Sequence, residues 1–190
     1  MSAPSIQTGR LILRKFTPRD MEALFQILKD EEVNTFLPWY PVRTMAETVR
    51  FYEERFASNA LAYAICLRED DKPIGYIQMG EEEPYDLGYG LRREFWHQGI
   101  AGEAARAVME QAKKAGVPYV TATHDRNNPR SGGVMKKAGM RYQYSYEEQW
   151  QPKNIPVVFR MYQLNLQGDE SFVYRKYKDE APAWFVEPDA

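Results

Sequence analysis

Two histidines and a single cysteine in 190 residues leave little material for a metal centre or a covalent framework. A disulfide within the chain needs two thiols, so none forms, and Cys66, inside the apolar run Leu61 to Leu67, reads as a small buried hydrophobe in a reducing compartment. His97 and His124 lie far apart and share no ligand spacing with Cys66 or a carboxylate, so no metal site is expected. No apolar stretch nears the ~18 residues that a bilayer span needs. Met1 to Thr8 has no basic segment followed by an apolar one, as a secretory leader would. An excess of one charge is missing too: 25 basic against 27 acidic residues give a net charge of −2, which offers a nucleic acid no electrostatic attraction. The expectation is a cytoplasmic protein with neither membrane nor nucleic-acid partner. With 44% hydrophobic residues, the chain can build one domain around its own core.

The local signals divide the chain into alternating elements. Arg10 to Phe16 reads as an opening strand with Leu11 and Leu13 inward, stopped by Thr17-Pro18. Thr17 then caps a helix whose stripe is Met21, Leu24, Phe25 and Leu28. A second helix starts at Thr44, where Glu47 completes a capping box, and runs to about Phe56 with Val49, Tyr52 and Phe56 inward. Between them, Asn34 to Arg43 is a proline- and aromatic-rich loop whose Phe36, Trp39 and Tyr40 either pack or wall a substrate cleft. Leu61 to Leu67 and Ile74 to Met79 form a hairpin across a polar turn, and Asp86 to Arg92 adds a strand. A helix from near Gly99 to Lys114 ends at Gly116. Strand Val117 to Thr123, a short helix Ser131 to Ala138, and strands Met140 to Gln149 and Pro156 to Leu164 complete the order β-α-α-β-β-β-α-β-α-β-β. Residues 167–190 carry Phe172, Tyr174, Tyr177, Trp184 and Phe185 among charges, too aromatic for a solvated tail. They are expected to dock on the domain, residues 1–166, or on a second subunit in a homodimer.

One turn carries the chemical signal. Gly88 and Gly90 share one face of a strand and leave it bare, while Leu87, Tyr89 and Leu91 fill the other. The strand leads into Gln98-Gly99-Ile100-Ala101-Gly102 at a helix start, where unpaired main-chain N–H groups and the helix dipole suit a diphosphate. A tight connection with no ligand explains the same glycines. Neither Gly-x-x-x-x-Gly-Lys-Ser/Thr nor Gly-x-Gly-x-x-Gly occurs, so nucleotide hydrolysis and hydride transfer lose support.

Trp96-His97-Gln98-Gly99-Ile100-Ala101-Gly102-Glu103-Ala104, following Gly88-Tyr89-Gly90-Leu91, resembles the acetyl-CoA motif of the GNAT superfamily, in particular its ribosomal-protein-alanine N-acetyltransferase-like branch. A second block, Asn128-Pro129-Arg130-Ser131 through Gly139-Met140, is similar to that branch's Asn-x-x-Ser, helix, Lys-x-Gly-Phe segment. With Arg10 to Arg14 the likeness covers roughly Thr8 to Leu166. The chain departs from the branch at His97, where glycine is common, and at Met140, where phenylalanine is.

The resemblance implies an α+β fold: one GNAT-like domain with a mixed, mostly antiparallel central sheet of about seven strands, helices on both faces, and two strands splayed at the cofactor site. It implies N-acetyl transfer from acetyl-CoA to a primary amine, on a small molecule or a protein N-terminus. A non-catalytic acyl-CoA sensor would keep the same turn. The pantetheine arm would lie between the strands, bonded to main chain near Leu91 and Arg92. The diphosphate would sit at Trp96, His97, Gln98, Gly99, Ile100, Ala101 and Gly102. Asn128 would reach the arm, and Lys136 the adenosine phosphate. Ser131 matches by position the group that protonates the leaving thiolate, with Tyr142 and Tyr144 behind it; it reads equally well as a helix N-cap. An ammonium acceptor must lose a proton, and Glu148 is the first candidate base, ahead of Glu82, Glu83 and Asp86. The acidic run Glu81 to Glu83 would attract such a cation without doing chemistry.

Overall fold

The computed structural model describes residues 5–188; Met1 to Pro4, the first half of the segment tested for a leader, and the final two residues lie outside the described residues. The chain opens with β1 (Ile6–Gln7) and β2 (Leu11–Arg14), whose Leu11 and Leu13 are fully buried. The Asp20 carboxylate accepts from the Thr17 N–H at 2.7 Å and from Arg14, which fixes a 3-10 turn at Pro18–Asp20 ahead of α1 (Met21–Leu28). The buried stripe of α1 is Met21, Leu24, Ile27 and Leu28; Phe25, expected inward, lies at its margin with Lys29 over its ring. Asp30 caps a single turn, α2 (Glu31–Asn34), by accepting from the N–H groups of Glu32 and Val33. In α3 (Met45–Arg55), Thr44 Oγ1 accepts from the Glu47 N–H, whereas the Glu47 carboxylate turns to the Arg43 N–H at 2.6 Å. Thr48, Phe51 and Phe56 are buried there, with Val49 and Tyr52 half-buried.

The strands β3 (Ala62–Leu67), β4 (Pro73–Met79) and β5 (Leu87–Leu91) extend an antiparallel sheet in the order β1-β2-β3-β4-β5. After α4 (Ile100–Lys114) come β6 (Tyr119–Asp125), α5 (Pro129–Lys137), β7 (Arg141–Trp150), β8 (Ile155–Asn165), α6 (Lys176–Glu180) and β9 (Trp184–Phe185). The later strands form a second antiparallel sheet, β6-β8-β7-β9. Among the described residues nine strands, two of them only two residues long, answer to the expected sheet of about seven, which is parted into two at the β5–β6 gap. The two sheets touch through a single parallel bridge between Asp86 and Thr121, beyond which β5 and β6 share no ladder among the described residues.

Three buried clusters hold this frame. α4 and α5 cover one face of both sheets through Ile100, Ala104, Val108 and Met135 against Leu13, Ile77, Leu87 and Val120. On the opposite face, α1 and α3 cover β3 and β4, where Leu24, Ile27 and Phe56 meet Ala64 and Tyr76. The same face of the second sheet has no long helix among the described residues. Residues 172–185 cover it instead: Tyr174 is buried among Tyr119, Tyr144, Tyr146 and Phe159, with Tyr177 packed alongside. Each large side chain so buried contributes roughly 1.5–3 kcal/mol. No described helix is long and apolar enough to cross a membrane.

Candidate functional site

Gly99 stands at the N-cap of α4 with φ +76°, a left-handed conformation that glycine adopts without the usual steric cost. The first helical bond runs from the Glu103 N–H to the Gly99 carbonyl at 3.0 Å, so the N–H groups of Ile100, Ala101 and Gly102 precede it and have no helical partner. Two residues earlier His97 is also left-handed, at φ +61°, a conformation that glycine adopts more readily. The turn is held from outside by Arg10. Its guanidinium donates to the Gln98 carbonyl at 2.9 Å and pairs with Glu103 at 2.7 Å, while Glu103 also accepts from the Thr8 hydroxyl at 2.5 Å. These contacts hold the Glu103 carboxyl below its ordinary value against the loss of hydration. His97, Gln98 and Gly99 are exposed, so the mouth of α4 opens to solvent.

The edge of β5 faces this mouth. Arg92 donates to the Ile74 carbonyl on β4, and strand alternation then turns the main-chain groups of Tyr89 and Leu91 the other way, toward the gap before β6. The Leu91 carbonyl already accepts from the Trp96 indole at 2.8 Å, so Trp96 buttresses the strand and Arg130 stacks over it at 5.5 Å. Arg92 itself pairs with Glu94. The face of Gly90 is not bare, contrary to expectation: a Cβ there would lie 2.7 Å from the Tyr76 ring, whose buried hydroxyl has no partner. Gly88, by contrast, has room.

Across the gap, Asn128 is the N-cap of α5 without a side-chain cap bond, and Pro129 takes the first helical position. Ser131 is therefore inside the first turn and not a cap. Its Oγ lies 2.8 Å from the Tyr89 hydroxyl, which also donates to the Ser131 carbonyl at 3.0 Å, so one tyrosine spans the gap between β5 and α5. Gly132 lets this turn sit on His124, whose Nε2 would be 2.6 Å from a Cβ; burial lowers the affinity of that imidazole for a proton. Tyr142 is engaged elsewhere, with its hydroxyl 2.9 Å from Ser145 Oγ and accepting from the Glu187 N–H. Tyr144 is buried and donates to the Tyr174 carbonyl. Lys136 is exposed in the last turn of α5.

The opposite face of the β5–β6 junction holds Asp86. Its carboxylate is half-buried 3.5 Å from Thr121 Oγ1, which also donates to the Pro84 carbonyl. Burial pushes the Asp86 carboxyl up to about 7, opposed by the nearby hydroxyls of Thr121 and Tyr177. Glu148 shares the Tyr146 side of β7 but is exposed, and its carboxylate has no hydrogen bond among the described residues; lost hydration raises it less. Glu83 accepts from the Tyr119 hydroxyl at 2.8 Å. Sequence reasoning ranked Asp86 below Glu148 because a bridge between distant strands leaves no trace in spacing. It missed Arg10 and Tyr89 for the same reason.

Residues 10–141 match the family model described as an acetyltransferase (GNAT) domain. The uncharacterized N-acetyltransferase YnaD of Bacillus subtilis (strain 168) is 31% identical over 140 residues, covering 72% of this chain and 82% of that protein. An acetyltransferase of the GNAT family from Bacillus anthracis superposes with a TM-score of 0.78 at 23% identity, over 87% of this chain and all of that one. RimL, a ribosomal L7/L12 α-N-protein acetyltransferase solved in complex with coenzyme A, gives 0.71 at 18% identity over 87% and 100%. With its helix mouth, its parted strands and these likenesses, the chain belongs to the GNAT acetyltransferase family.

Proposed function

We propose that the enzyme transfers acetyl from acetyl-CoA directly to a primary amine, in the cytoplasm, with residues 1–166 as the catalytic unit and 167–190 appended to it. The observation that carries this is the row of unpartnered N–H groups at the α4 mouth, set beside the unpaired edge of β5. Both fit an acyl carrier's diphosphate and its amide-bearing arm. The orphaned Tyr76 hydroxyl beside Gly90 fits a polar acyl group lying along that edge. RimL, solved with coenzyme A, is a neighbour of the same fold.

Acetyl-CoA supplies the activated thioester. Gln98 to Gly102 bind its diphosphate and Arg10 keeps their turn in shape. Trp96 and Arg92 fix the end of β5, where the N–H of Tyr89 or Leu91 polarises the acyl carbonyl. Asn128 faces the arm from α5, and Lys136 lies toward its phosphate end. Ser131, in contact with Tyr89, returns a proton to the leaving sulfur. Asp86, now preferred to Glu148, takes the proton from the acceptor ammonium; Glu148 draws the cation in. Tyr142 has no role in this scheme.

The test is calorimetry with coenzyme A, followed by release of free thiol from acetyl-CoA with a panel of amines. Gly99→Val should abolish binding by filling the left-handed turn. Ser131→Ala should leave binding intact and lower kcat by about tenfold to a hundredfold. Unaltered affinity in the first variant would remove the turn from the site, and unaltered turnover in the second would remove Ser131. Because Asp86 acts unprotonated, kcat/KM should climb as pH rises through about 7 and lose that limb in Asp86→Asn.

A further inference from the structure

We infer that the C-terminal segment completes the acceptor site, with Tyr177 of α6 as a specificity-determining residue that selects a small amine on an apolar or aromatic stem over a polypeptide N-terminus. This rests on the acetyl-transfer reading above and extends it to the acceptor.

Tyr177 is half-buried and reaches back over the β5–β6 junction to Asp86 and Thr121. Its ring lies parallel to Tyr146, centroids 5.5 Å apart and 1° between planes, and edge-on to Tyr174 at 5.2 Å. Tyr174 in turn lies 6.0 Å from Tyr119, which meets Tyr85 at 5.4 Å. Tyr146, Tyr174 and Tyr177 thus stand near one carboxylate, and Tyr119 and Tyr85 continue their aromatic chain. The titratable groups acting on Asp86 are Tyr89 from β5, Tyr146 from β7, and Tyr174 and Tyr177 from the segment, with Thr121 from β6. No lysine, arginine or histidine is among them in the described residues. An incoming ammonium is the counter-ion this carboxylate lacks, and tyrosine faces favour a cation and an apolar stem together.

Two features disfavour an extended peptide. A polypeptide would gain affinity by pairing along the edge of β7, but β9 occupies the middle of that edge, with Ser145 opposite Phe185 and Tyr146 opposite Trp184. At the other end, the β7–β8 connection reaches across to the helical face. Lys153 Nζ donates to the carbonyls of Asn34 at 2.9 Å and Thr35 at 2.7 Å, and the Tyr40 hydroxyl to the Pro152 carbonyl at 3.3 Å. On this reading the acceptor approaches Asp86 past Tyr177.

The experiment uses the full chain with benzylamine, spermidine and an alanyl tripeptide as acceptors. Benzylamine should be acetylated with the highest kcat/KM. Tyr177→Ala should raise its KM about tenfold while the KM for acetyl-CoA stays within about twofold. Tyr177→Phe keeps the stack and removes a hydroxyl that favours ionised Asp86, so KM should hold and the midpoint of the kcat/KM–pH profile should move up. Preference for the tripeptide, no turnover of benzylamine, or equal effects of Tyr177→Ala on both KM values would overturn the inference. Coenzyme A calorimetry on the same samples separates this failure from that of acetyl transfer, since cofactor binding does not involve Tyr177.

Discussion

At the scale of single residues, backbone conformation separates substitutions that look alike. His97 is held at φ +61°, where a residue with a Cβ is strained by roughly 1–2 kcal/mol, part of which glycine repays by its freer unfolded chain. His97→Gly should therefore stabilise the protein by about 0.5–1 kcal/mol in urea unfolding and leave coenzyme A affinity intact, since the N–H groups of the turn remain. A loss of stability would mean that the imidazole makes a contact worth more than the strain. The glycines of β4 and β5 divide the same way. At Gly75 a Cβ would sit 2.4 Å from the Gly90 carbonyl oxygen, a main-chain atom that moves only with its strand; at Gly88 the nearest atom is 3.7 Å away. Gly75→Ala should cost about 1–3 kcal/mol, and Gly88→Ala close to nothing, in the same measurement.

Among elements, legibility in the sequence follows how local each element's cause is. The helix at Gly99 to Lys114 could be read because its start, stripe and stop lie within its own residues, and α3 because Thr44 and Glu47 bracket its first turn. By contrast, α2, α6 and β9 are each five residues or fewer, too short for a periodic stripe, and β9 owes its form to distant partners, Ser145 and Tyr146. The candidate site divides likewise. The cofactor turn is one contiguous string and was legible; the acceptor face, built from Asp86, Thr121, Tyr146 and Tyr177, is contiguous nowhere. The clamp between Arg10 and Glu103 is equally non-local, and it predicts a separable defect. Arg10→Ala should weaken coenzyme A binding several-fold in calorimetry, because the turn loses its bond at the Gln98 carbonyl. Thermal stability should change little, because Arg10 is exposed.

For the molecule as a whole, residues 167–188 form a strap along the second sheet. Asn165 donates to the carbonyls of Asp169, Glu170 and Phe172, Gln163 holds the Tyr174 N–H, and the far end is fastened by Glu187. The Glu187 carboxylate pairs with Arg160, accepts from Ser145 Oγ at 2.6 Å, and is held down at about 2 chiefly by the Arg160 guanidinium. A carboxyl whose folded value lies below its unfolded one, near 4.3, favours the folded strap at neutral pH. That contribution is complete above the unfolded value and drains away as pH falls from about 4.5 toward about 2. Limited proteolysis between α6 and the C-terminus should therefore accelerate across that window while the core stays resistant. Glu187→Gln cannot ionise, so its cleavage should start faster at pH 7 and show a flatter acid dependence. Since Glu103 and Asp20 are lowered as well, the informative quantity is the difference between wild type and variant, which cancels their titration. Identical profiles for the two proteins would show that Glu187 does not fasten the strap, and that the aromatic packing of Tyr174 and Tyr177 alone keeps it against β7.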